Sequence, residues 1–126
     1  GWTALIAMAR AEQLIGTPYL WGGRTAFGID CSGLVQLAHA MCGNNLPRDS
    51  DMQRATVGKL IGEGTDHQPL QRGDLVFWKG HVAMMQDDAN MLHASGHTMS
   101  VIREPLADAV RRIGYMYGPP LAYRRP

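Results

Sequence analysis

The spacing of hydrophobic residues predicts helices in the first half of the chain, beginning with an amphipathic helix over residues 3–15. Leu5, Met8 and Ile15 recur near the 3.6-residue period of a helix, so we expect this face to pack against the core. The Gly-Thr-Pro sequence that follows predicts the end of the helix, because proline and glycine interrupt it.

A second helix is predicted over residues 31–42, after an aromatic and glycine-rich loop at residues 19–23. Gly43 is its expected stop. Its apolar face comprises Leu34, Val35, Ala38, Met41 and Cys42. The sequence from Ser50 to Gln53 matches a capping box, which predicts a shorter helix starting near Ser50. The glycines and proline of residues 58–69 predict a loop.

The second half of the chain has short runs rich in β-branched, aromatic and methionine residues, separated by turn residues. Four of these runs are predicted to form an antiparallel meander: 74–79, 81–86, 91–95 and 99–103. A short helix is expected at 105–113, and final strands at 115–117 and 121–124. Pro119 and Pro120 predict that these final strands lie at an edge of the sheet. Helices followed by strands indicate an α+β domain.

Composition and charge narrow the class of protein. The chain has 126 residues, 45% hydrophobic and 18% charged, which fits one globular domain. A net charge of +1 gives no reason to expect a nucleic-acid partner. No apolar run reaches the roughly 20 residues of a membrane span. Residues 1–126 are expected to form one domain. Because Gly1 opens the chain and no signal peptide is present, this domain could be whole or excised from a longer protein. The compartment and the oligomeric state stay open.

The two cysteines are expected to be free thiols with separate roles. On one helix, Cys31 and Cys42 are about 16 Å apart, whereas a disulfide needs Cα atoms within roughly 7 Å. Cys31 opens the predicted helix behind Asp30, where the free N–H groups and the helix dipole favour a thiolate. It is therefore a candidate nucleophile, and the alternative is a small buried residue.

A nucleophilic cysteine needs a base, and two histidines are candidates. His81 begins one predicted strand and His93 lies in the next, so the two rings can face each other. One would take the thiol proton while the other orients its ring, although each could equally be a structural histidine. His39 is expected on a helix surface. No zinc-type spacing and no phosphate-binding loop is present, so neither a metal nor another cofactor is expected.

Several short motifs together resemble the NlpC/P60 family of bacterial cell-wall peptidases, over about residues 14–100. In chain order they are Ile15-Gly16-Thr17-Pro18-Tyr19, Trp21-Gly22-Gly23, Asp30-Cys31-Ser32-Gly33-Leu34-Val35-Gln36, Leu46-Pro47-Arg48, Gln71-Arg72-Gly73-Asp74-Leu75-Val76-Phe77, Gly80-His81-Val82-Ala83 and Leu92-His93-Ala94-Ser95. Asp-Cys-Ser-Gly alone would be weak support, but the succession of motifs in the family's order is strong support.

The resemblance implies a papain-like α+β fold, in which the nucleophile helix packs on an antiparallel sheet. It implies hydrolysis of the bond between γ-D-glutamate and a diamino acid, such as diaminopimelate, in peptidoglycan stem peptides or muropeptides. By the same resemblance Cys31 is the nucleophile, His81 is the general base and acid, and His93 orients His81. Tyr19 matches a tyrosine that helps to hold the oxyanion.

The resemblance also implies substrate-binding roles for Asp30, Ser32 and Ser50 around the free amine of the peptide. For Asp30 and Ser50 the alternative is a helix cap. Relatives specific for free peptides carry SH3-like domains, for which this chain has no room, so either a longer parent protein or an open pocket is expected.

Two other functions stay open at this stage. A thiol-dependent amidase or acyltransferase would use the same groups on another substrate. A wall-binding module with a decayed site is the non-enzyme alternative. A bacterial location, in the cell envelope or in the cytoplasm, is all that the resemblance implies.

Overall fold

The computed structural model describes residues 2–25, 28–64 and 66–126, without the side chains of residues 24 and 25. The helices of the described residues are α1 Trp2–Glu12, α2 Cys31–Ala40, α3 Ser50–Thr56 and α4 Leu106–Tyr117. The strands are β1 Arg24–Thr25, β2 Gly28–Ile29, β3 Lys59–Glu63, β4 Asp66–His67, β5 Leu75–Trp78, β6 His81–Met85, β7 Asn90–Ser95, β8 Ser100–Pro105 and β9 Ala122–Arg125. The predicted α+β class is confirmed.

The main sheet has seven strands in the order β4-β3-β9-β5-β6-β7-β8, and each pair is antiparallel. The predicted meander is confirmed as β5 to β8, with strand ends within about two residues of the prediction. Short connections between consecutive strands place neighbours in sequence next to each other in the sheet.

Both faces of the central strands are covered. Strand residues alternate between the faces, so Phe77 and Met84 pack in the core beneath α1 and α2. Trp78 and Met85 point the other way, into a second core that includes Ala109 of α4. Because helices lie on both sides, β5 is buried at all of its positions.

The predicted inner face of α1 is confirmed at Met8, which is fully buried, and is wrong at Leu5 and Ile15. Leu5 and Ile15 are 41% and 47% exposed, and Ile15 lies beyond the last helical residue. The buried residues of α1 are Ala4, Ala7, Met8 and Ala11. Small alanine side chains let α1 lie close against α2, so packing distance decides which face turns inward.

Helix α3 begins at Ser50 as predicted, but the expected capping box is wrong. Asp49 is the N-cap residue and makes no side-chain cap hydrogen bond. Gln53 is buried and donates to the carbonyl oxygens of Ser32, at 3.1 Å, and Pro47, at 2.8 Å. Its amide therefore links α3 to the start of α2, instead of turning back to the helix end.

The predicted loop at residues 58–69 is also wrong, since it contains the β3–β4 hairpin. In β3, Ile61 is buried while Leu60 is 41% exposed, and β3 pairs with β9 on its other side. Gly64, with φ +60°, supplies the left-handed residue of the connecting turn. Long-range pairing with the end of the chain, which no local pattern reveals, stabilises this strand.

At the C-terminus, the predicted strand at 115–117 is wrong because α4 continues to Tyr117 and ends at Gly118, with φ +79°. The strand predicted at 121–124 is confirmed as β9, but it lies between β3 and β5 and not at an edge. Pro119 and Pro120 precede β9, so they remove no hydrogen bond from its ladder. Among the described residues, no helix is both long and apolar enough to cross a bilayer.

Candidate active site

Cys31 is the first residue of α2, and the cap of that helix places it. The Asp30 side chain accepts a hydrogen bond from the Gly33 N–H at 2.6 Å. The thiol is 8% exposed, and its sulfur lies 3.9 Å from the carbonyl oxygen of Gly80, immediately before β6. Both cysteines are free, as predicted.

His81 and His93 lie side by side on β6 and β7, as their sequence positions predict. Nε2 of His81 is 2.8 Å from Nδ1 of His93, and the ring planes are close to perpendicular. His93 is 1% exposed, whereas His81 is half-buried at the start of its strand. Since the contact occupies Nε2, Nδ1 is the nitrogen of His81 with which a proton can be exchanged.

Burial controls the ionisation of the thiol and of its neighbouring ring. Burial raises the pKa of Cys31, and the negative charge of Asp30 adds to this, although backbone N–H groups act in the opposite direction. The prediction of a pKa lowered by the helix start is therefore wrong in net direction. The pKa of His81 is lowered to about 3, first by burial and then by the positive charges of His93 and Arg112. At neutral pH the geometry favours a neutral thiol beside a neutral imidazole.

Two cavities meet at Cys31 and form one groove, with Tyr19, Cys31 and Gly80 lining both. The first, of about 410 Å³, contains both histidines and reaches Arg112 and Tyr117 of α4. The second has a volume of about 670 Å³. Its polar lining residues are Asp30, Ser32, Arg48, Asp49, Ser50 and Asp51. An extended chain lying in this groove would pass directly over the sulfur.

The structure brings all of the predicted site residues to this groove. The catalytic candidates Cys31, His81 and His93 line the first cavity, and Tyr19 lies at the junction. The binding candidates Asp30, Ser32 and Ser50 line the second cavity. Burial raises the pKa of the Tyr19 hydroxyl, so this hydroxyl keeps its proton as a hydrogen-bond donor.

Arg48, for which the sequence predicts no role, contacts the residues on both sides of Cys31. It donates to both carboxylate oxygens of Asp30, each at 2.9 Å, and to the Ser32 hydroxyl at 2.9 Å. Burial raises the pKa of Asp30, but the hydrogen bonds from Arg48 and from backbone N–H groups outweigh it and lower the net pKa. These contacts favour the helix-cap alternative for Asp30.

A model of the NlpC/P60 family matches residues 16–113. The chain belongs to the NlpC/P60 family. It is 38% identical over 103 residues to the gamma-D-glutamyl-L-lysine dipeptidyl-peptidase of Bacillus cereus, covering 75% of this chain and 29% of that protein. It is 37% identical over 118 residues to dipeptidyl-peptidase 6 of Lysinibacillus sphaericus, covering 85% of this chain and 42% of that protein.

Solved NlpC/P60 structures have the same fold. The peptidoglycan hydrolase RipB of Mycobacterium tuberculosis matches 98% of this chain and 64% of its own, at 29% identity and a TM-score of 0.78. The predicted papain-like α+β fold is thereby confirmed. This NlpC/P60 chain spans less than half the length of the two curated relatives named above. Their names identify peptidases, which supports the prediction that this chain is a peptidase.

Sequence reasoning also missed Glu104 and Arg112 at this NlpC/P60 site. Glu104 lies 2.7 Å from Nε2 of His93 and forms an ion pair with Arg112 of α4. In the β7–β8 register, Glu104 is opposite Met91, so it lies on the same face as His93 and diagonal to it. The predicted strand ended at residue 103, one position before this carboxylate. Extending the strand by one residue would have included Glu104, but its contacts with His93 and with Arg112 of α4 depend on the assembled sheet and helices.

The remaining histidines are located away from the groove or at its rim. His39 was expected on the helix surface, but it is fully buried, so that prediction is wrong. Its Nδ1 is 3.0 Å from the Asn44 amide nitrogen. His67 and His97 are exposed. In residues 2–25, 28–64 and 66–126, no group of three or more His, Cys, Asp or Glu side chains is arranged to hold a metal.

Proposed function

We propose that this chain is the catalytic domain of a cysteine endopeptidase that hydrolyses the bond between γ-D-glutamate and a diamino acid in peptidoglycan stem peptides. The observation that carries the proposal is the groove that Cys31, at a helix start, lines together with His81, whose Nε2 lies 2.8 Å from Nδ1 of His93. The name of the Bacillus cereus relative, with 38% identity, supports the γ-D-glutamyl substrate class.

The proposed reaction begins with general-base catalysis, because burial favours the neutral thiol and neutral imidazole at rest. Nδ1 of His81 takes the thiol proton as the sulfur of Cys31 attacks the γ-carbonyl carbon. The carbonyl oxygen becomes an oxyanion, for which the Cys31 backbone N–H and the Tyr19 hydroxyl are the proposed donors.

The second half of the reaction returns the enzyme to its starting state. The imidazolium of His81 gives its proton to the departing amine of the diamino acid, and the C–N bond breaks to leave a thioester on Cys31. Water then attacks the thioester while His81 accepts its proton. The thiolate leaves and is reprotonated by His81, and the product is a free γ-carboxylate.

Substrate binding is proposed to use the second cavity, where acidic side chains collect. The residues that the sequence predicts there are Asp30, Ser32 and Ser50, but Arg48 already contacts both oxygens of Asp30. Asp49 lines the same cavity, is exposed and makes no cap hydrogen bond with its side chain. We therefore favour Asp49 as the carboxylate that meets the ammonium group of the stem peptide.

The test is mass spectrometry of the products from L-Ala-γ-D-Glu-diaminopimelate incubated with the chain. We expect L-Ala-D-Glu with a free γ-carboxylate, together with released diaminopimelate. Cys31→Ala should abolish this product, whereas the matched variant Cys42→Ala should retain nearly all activity. Loss of activity in Cys42→Ala alone would contradict the choice of nucleophile.

The same experiment separates hydrolysis from acyl transfer. When a primary amine is added in excess, a peptidase continues to release the free acid, whereas an acyltransferase yields a new amide. A thioester on Cys31 that forms with release of the diamino acid, but yields only new amides and no free γ-carboxylate, would contradict the proposed peptidase. No product and no adduct, in a chain with the native fold, would favour a wall-binding module.

A further inference from the structure

The hydrogen bonds of the histidine pair continue into β8 and α4. Nε2 of His93 lies 2.7 Å from Oε1 of Glu104. Arg112 donates from its two terminal nitrogens to the two oxygens of Glu104, both at 2.6 Å. The side chains of His93 and Glu104 are only 1% and 13% exposed. A bidentate, part-buried ion pair, with Arg112 32% and Glu104 13% exposed, therefore lies directly behind His93.

The carboxylate of Glu104 fixes which atom donates in the hydrogen bond to His93 and in the hydrogen bond between His93 and His81. An ionised carboxylate only accepts, so Glu104 requires a hydrogen on Nε2 of His93. Neutral His93 then has its lone pair on Nδ1, which accepts from Nε2–H of His81. Nδ1 of His81 is left without a hydrogen, which is the state that a base needs.

Arg112 keeps Glu104 in the ionised form on which this direction depends. Burial raises the pKa of Glu104, but the hydrogen bonds from Arg112 and the neighbouring His93 outweigh it and lower the net pKa. Arg112 belongs to α4 and also lines the groove, so α4 contributes to the site through this contact.

We propose that Glu104 is a positioning residue, whose carboxylate sets both histidines in the Nε2–H tautomer and so presents a lone pair on Nδ1 of His81. The inference rests on the proposed function in one respect, that His81 is the base for Cys31. Without an acceptor at position 104, a reversed arrangement competes, in which Nδ1–H of His93 donates to Nε2 of His81. His81 then carries its hydrogen on Nδ1 and cannot accept the thiol proton.

A purely structural role is the alternative, in which Glu104 only ties α4 to β8 through Arg112. The two roles differ in what happens to the rings. A structural tie affects stability and leaves the tautomers unchanged, whereas a positioning carboxylate controls them. The ring-nitrogen chemical shifts of ¹⁵N-labelled histidine distinguish the two tautomers and need no substrate.

In the unmodified chain near neutral pH, we expect His81 and His93 both to carry hydrogen on Nε2 alone. In Glu104→Leu, a substantial population of the Nδ1–H form should appear at His81. Glu104→Gln should stay close to the unmodified chain, because its amide oxygen still accepts from His93. Hydrogen on Nδ1 of His81 in the unmodified chain would overturn the proposal, whether or not any variant folds. Unchanged tautomers in a folded Glu104→Leu chain would overturn it too.

Turnover of the stem peptide gives a second measurement. We expect kcat of Glu104→Leu to fall about tenfold to a hundredfold, within the roughly 10²–10⁴ that general acid–base catalysis supplies, with KM nearly unchanged. Glu104→Gln should lie between this variant and the unmodified chain. Glu12→Leu is the matched control, because Glu12 forms a comparable part-buried ion pair with Arg72 away from the histidines.

The outcomes separate this inference from the proposed function. Equal losses of kcat in Glu104→Leu and Glu12→Leu would mean a general effect of ion-pair loss and would overturn the positioning role. If the unmodified chain does not cleave the peptide, the proposed substrate fails, but the tautomer measurement still decides the role of Glu104.

Discussion

Arg48 donates one hydrogen bond to each carboxylate oxygen of Asp30, the residue immediately before Cys31. The same carboxylate accepts from the backbone N–H groups of Gly33, at 2.6 Å, and Gly22, at 3.0 Å. One ion pair therefore holds together the glycine loop, the first turn of α2 and the segment before α3. Its principal effect should be on stability and on the position of Cys31.

Arg48→Leu should destabilise the chain by about 2 kcal/mol, because it leaves a largely buried carboxylate without its counter-charge. The side chains of Arg48 and Asp30 are 29% and 12% exposed, so water screens part of the loss and the value falls below the roughly 3–5 kcal/mol of a fully buried pair. Urea unfolding near neutral pH measures the free energy of unfolding.

Arg111→Leu provides the matched control for that measurement. Arg111 and Asp108 form an ion pair on α4 whose side chains are 78% and 59% exposed. Its removal should change the free energy of unfolding by less than about 0.5 kcal/mol. Similar losses in Arg48→Leu and Arg111→Leu would contradict a special role for the pair at Asp30.

Asp49→Asn should weaken the preference for a free amine on the substrate. The ratio of kcat/KM for the free stem peptide to kcat/KM for its N-acetylated form should fall about fivefold, as expected for losing one partly exposed ion pair. Asp30→Asn should lower stability and leave this ratio unchanged, because the Asp30 carboxylate is engaged by Arg48.

The opposite pattern would support the sequence-based assignment of the amine to Asp30. In that case the ratio of kcat/KM for the free peptide to kcat/KM for the acetylated peptide would fall in Asp30→Asn and stay unchanged in Asp49→Asn. Equal cleavage of the free and acetylated peptides by the unmodified chain would exclude amine recognition by either carboxylate, and the groove would then accept longer wall fragments.

Replacements at the two histidines should differ in size. His81→Ala should lower kcat by about 10²–10⁴-fold, because no other group moves the proton. His93→Gln should cost about tenfold or less, since the glutamine oxygen accepts from His81 while its amide donates to Glu104. His93→Leu makes neither hydrogen bond, so its kcat should lie between those of His81→Ala and His93→Gln. Steady-state kinetics on one stem peptide measures all three, and equal losses would mean that His93 takes part in proton transfer.

The local chemistry of the site could be predicted from the sequence because each part lies in a short motif. Cys31 follows its own helix cap, and His81 and His93 occupy consecutive strands that a short turn makes antiparallel. Glu104 and Arg48 could not be assigned roles in this way. Their partners are on other elements, and only the assembled sheet and helices reveal which charges face each other.

The fold shows the same division between local and long-range information. The meander from β5 to β8 follows from strand patterns and turns, whereas β3 depends on pairing with β9, far along the chain. The inner face of α1 was predicted correctly only at Met8, because hydrophobicity also points to Leu5, while close contact with α2 requires alanines such as Ala7. Burial of His39 reflects the same packing of helices.

His39 makes the stability of this chain sensitive to acid. Burial lowers the pKa of His39 from an ordinary value of 6.5 to about 4, because its ring is fully enclosed on α2. A group whose pKa is lower in the folded chain than in the unfolded chain contributes to stability at pH values above its pKa in the unfolded chain. That contribution is lost as the pH falls, since the unfolded chain then binds the proton more readily. Burial also lowers the pKa of His81 and His93, so these rings act in the same direction.

Between pH 7 and pH 5, the His39 ring alone should cost about 2 kcal/mol of stability, because each pKa unit corresponds to about 1.4 kcal/mol. His39→Gln keeps a polar side chain beside Asn44 but does not titrate, so its free energy of unfolding should decline less over this range. Urea unfolding of both chains at a series of pH values measures the difference. The exposed His67 supplies the control, and His67→Gln should follow the unmodified chain. Parallel curves for His39→Gln and the unmodified chain would show that the acid sensitivity arises from other groups, with His81 and His93 as the next candidates.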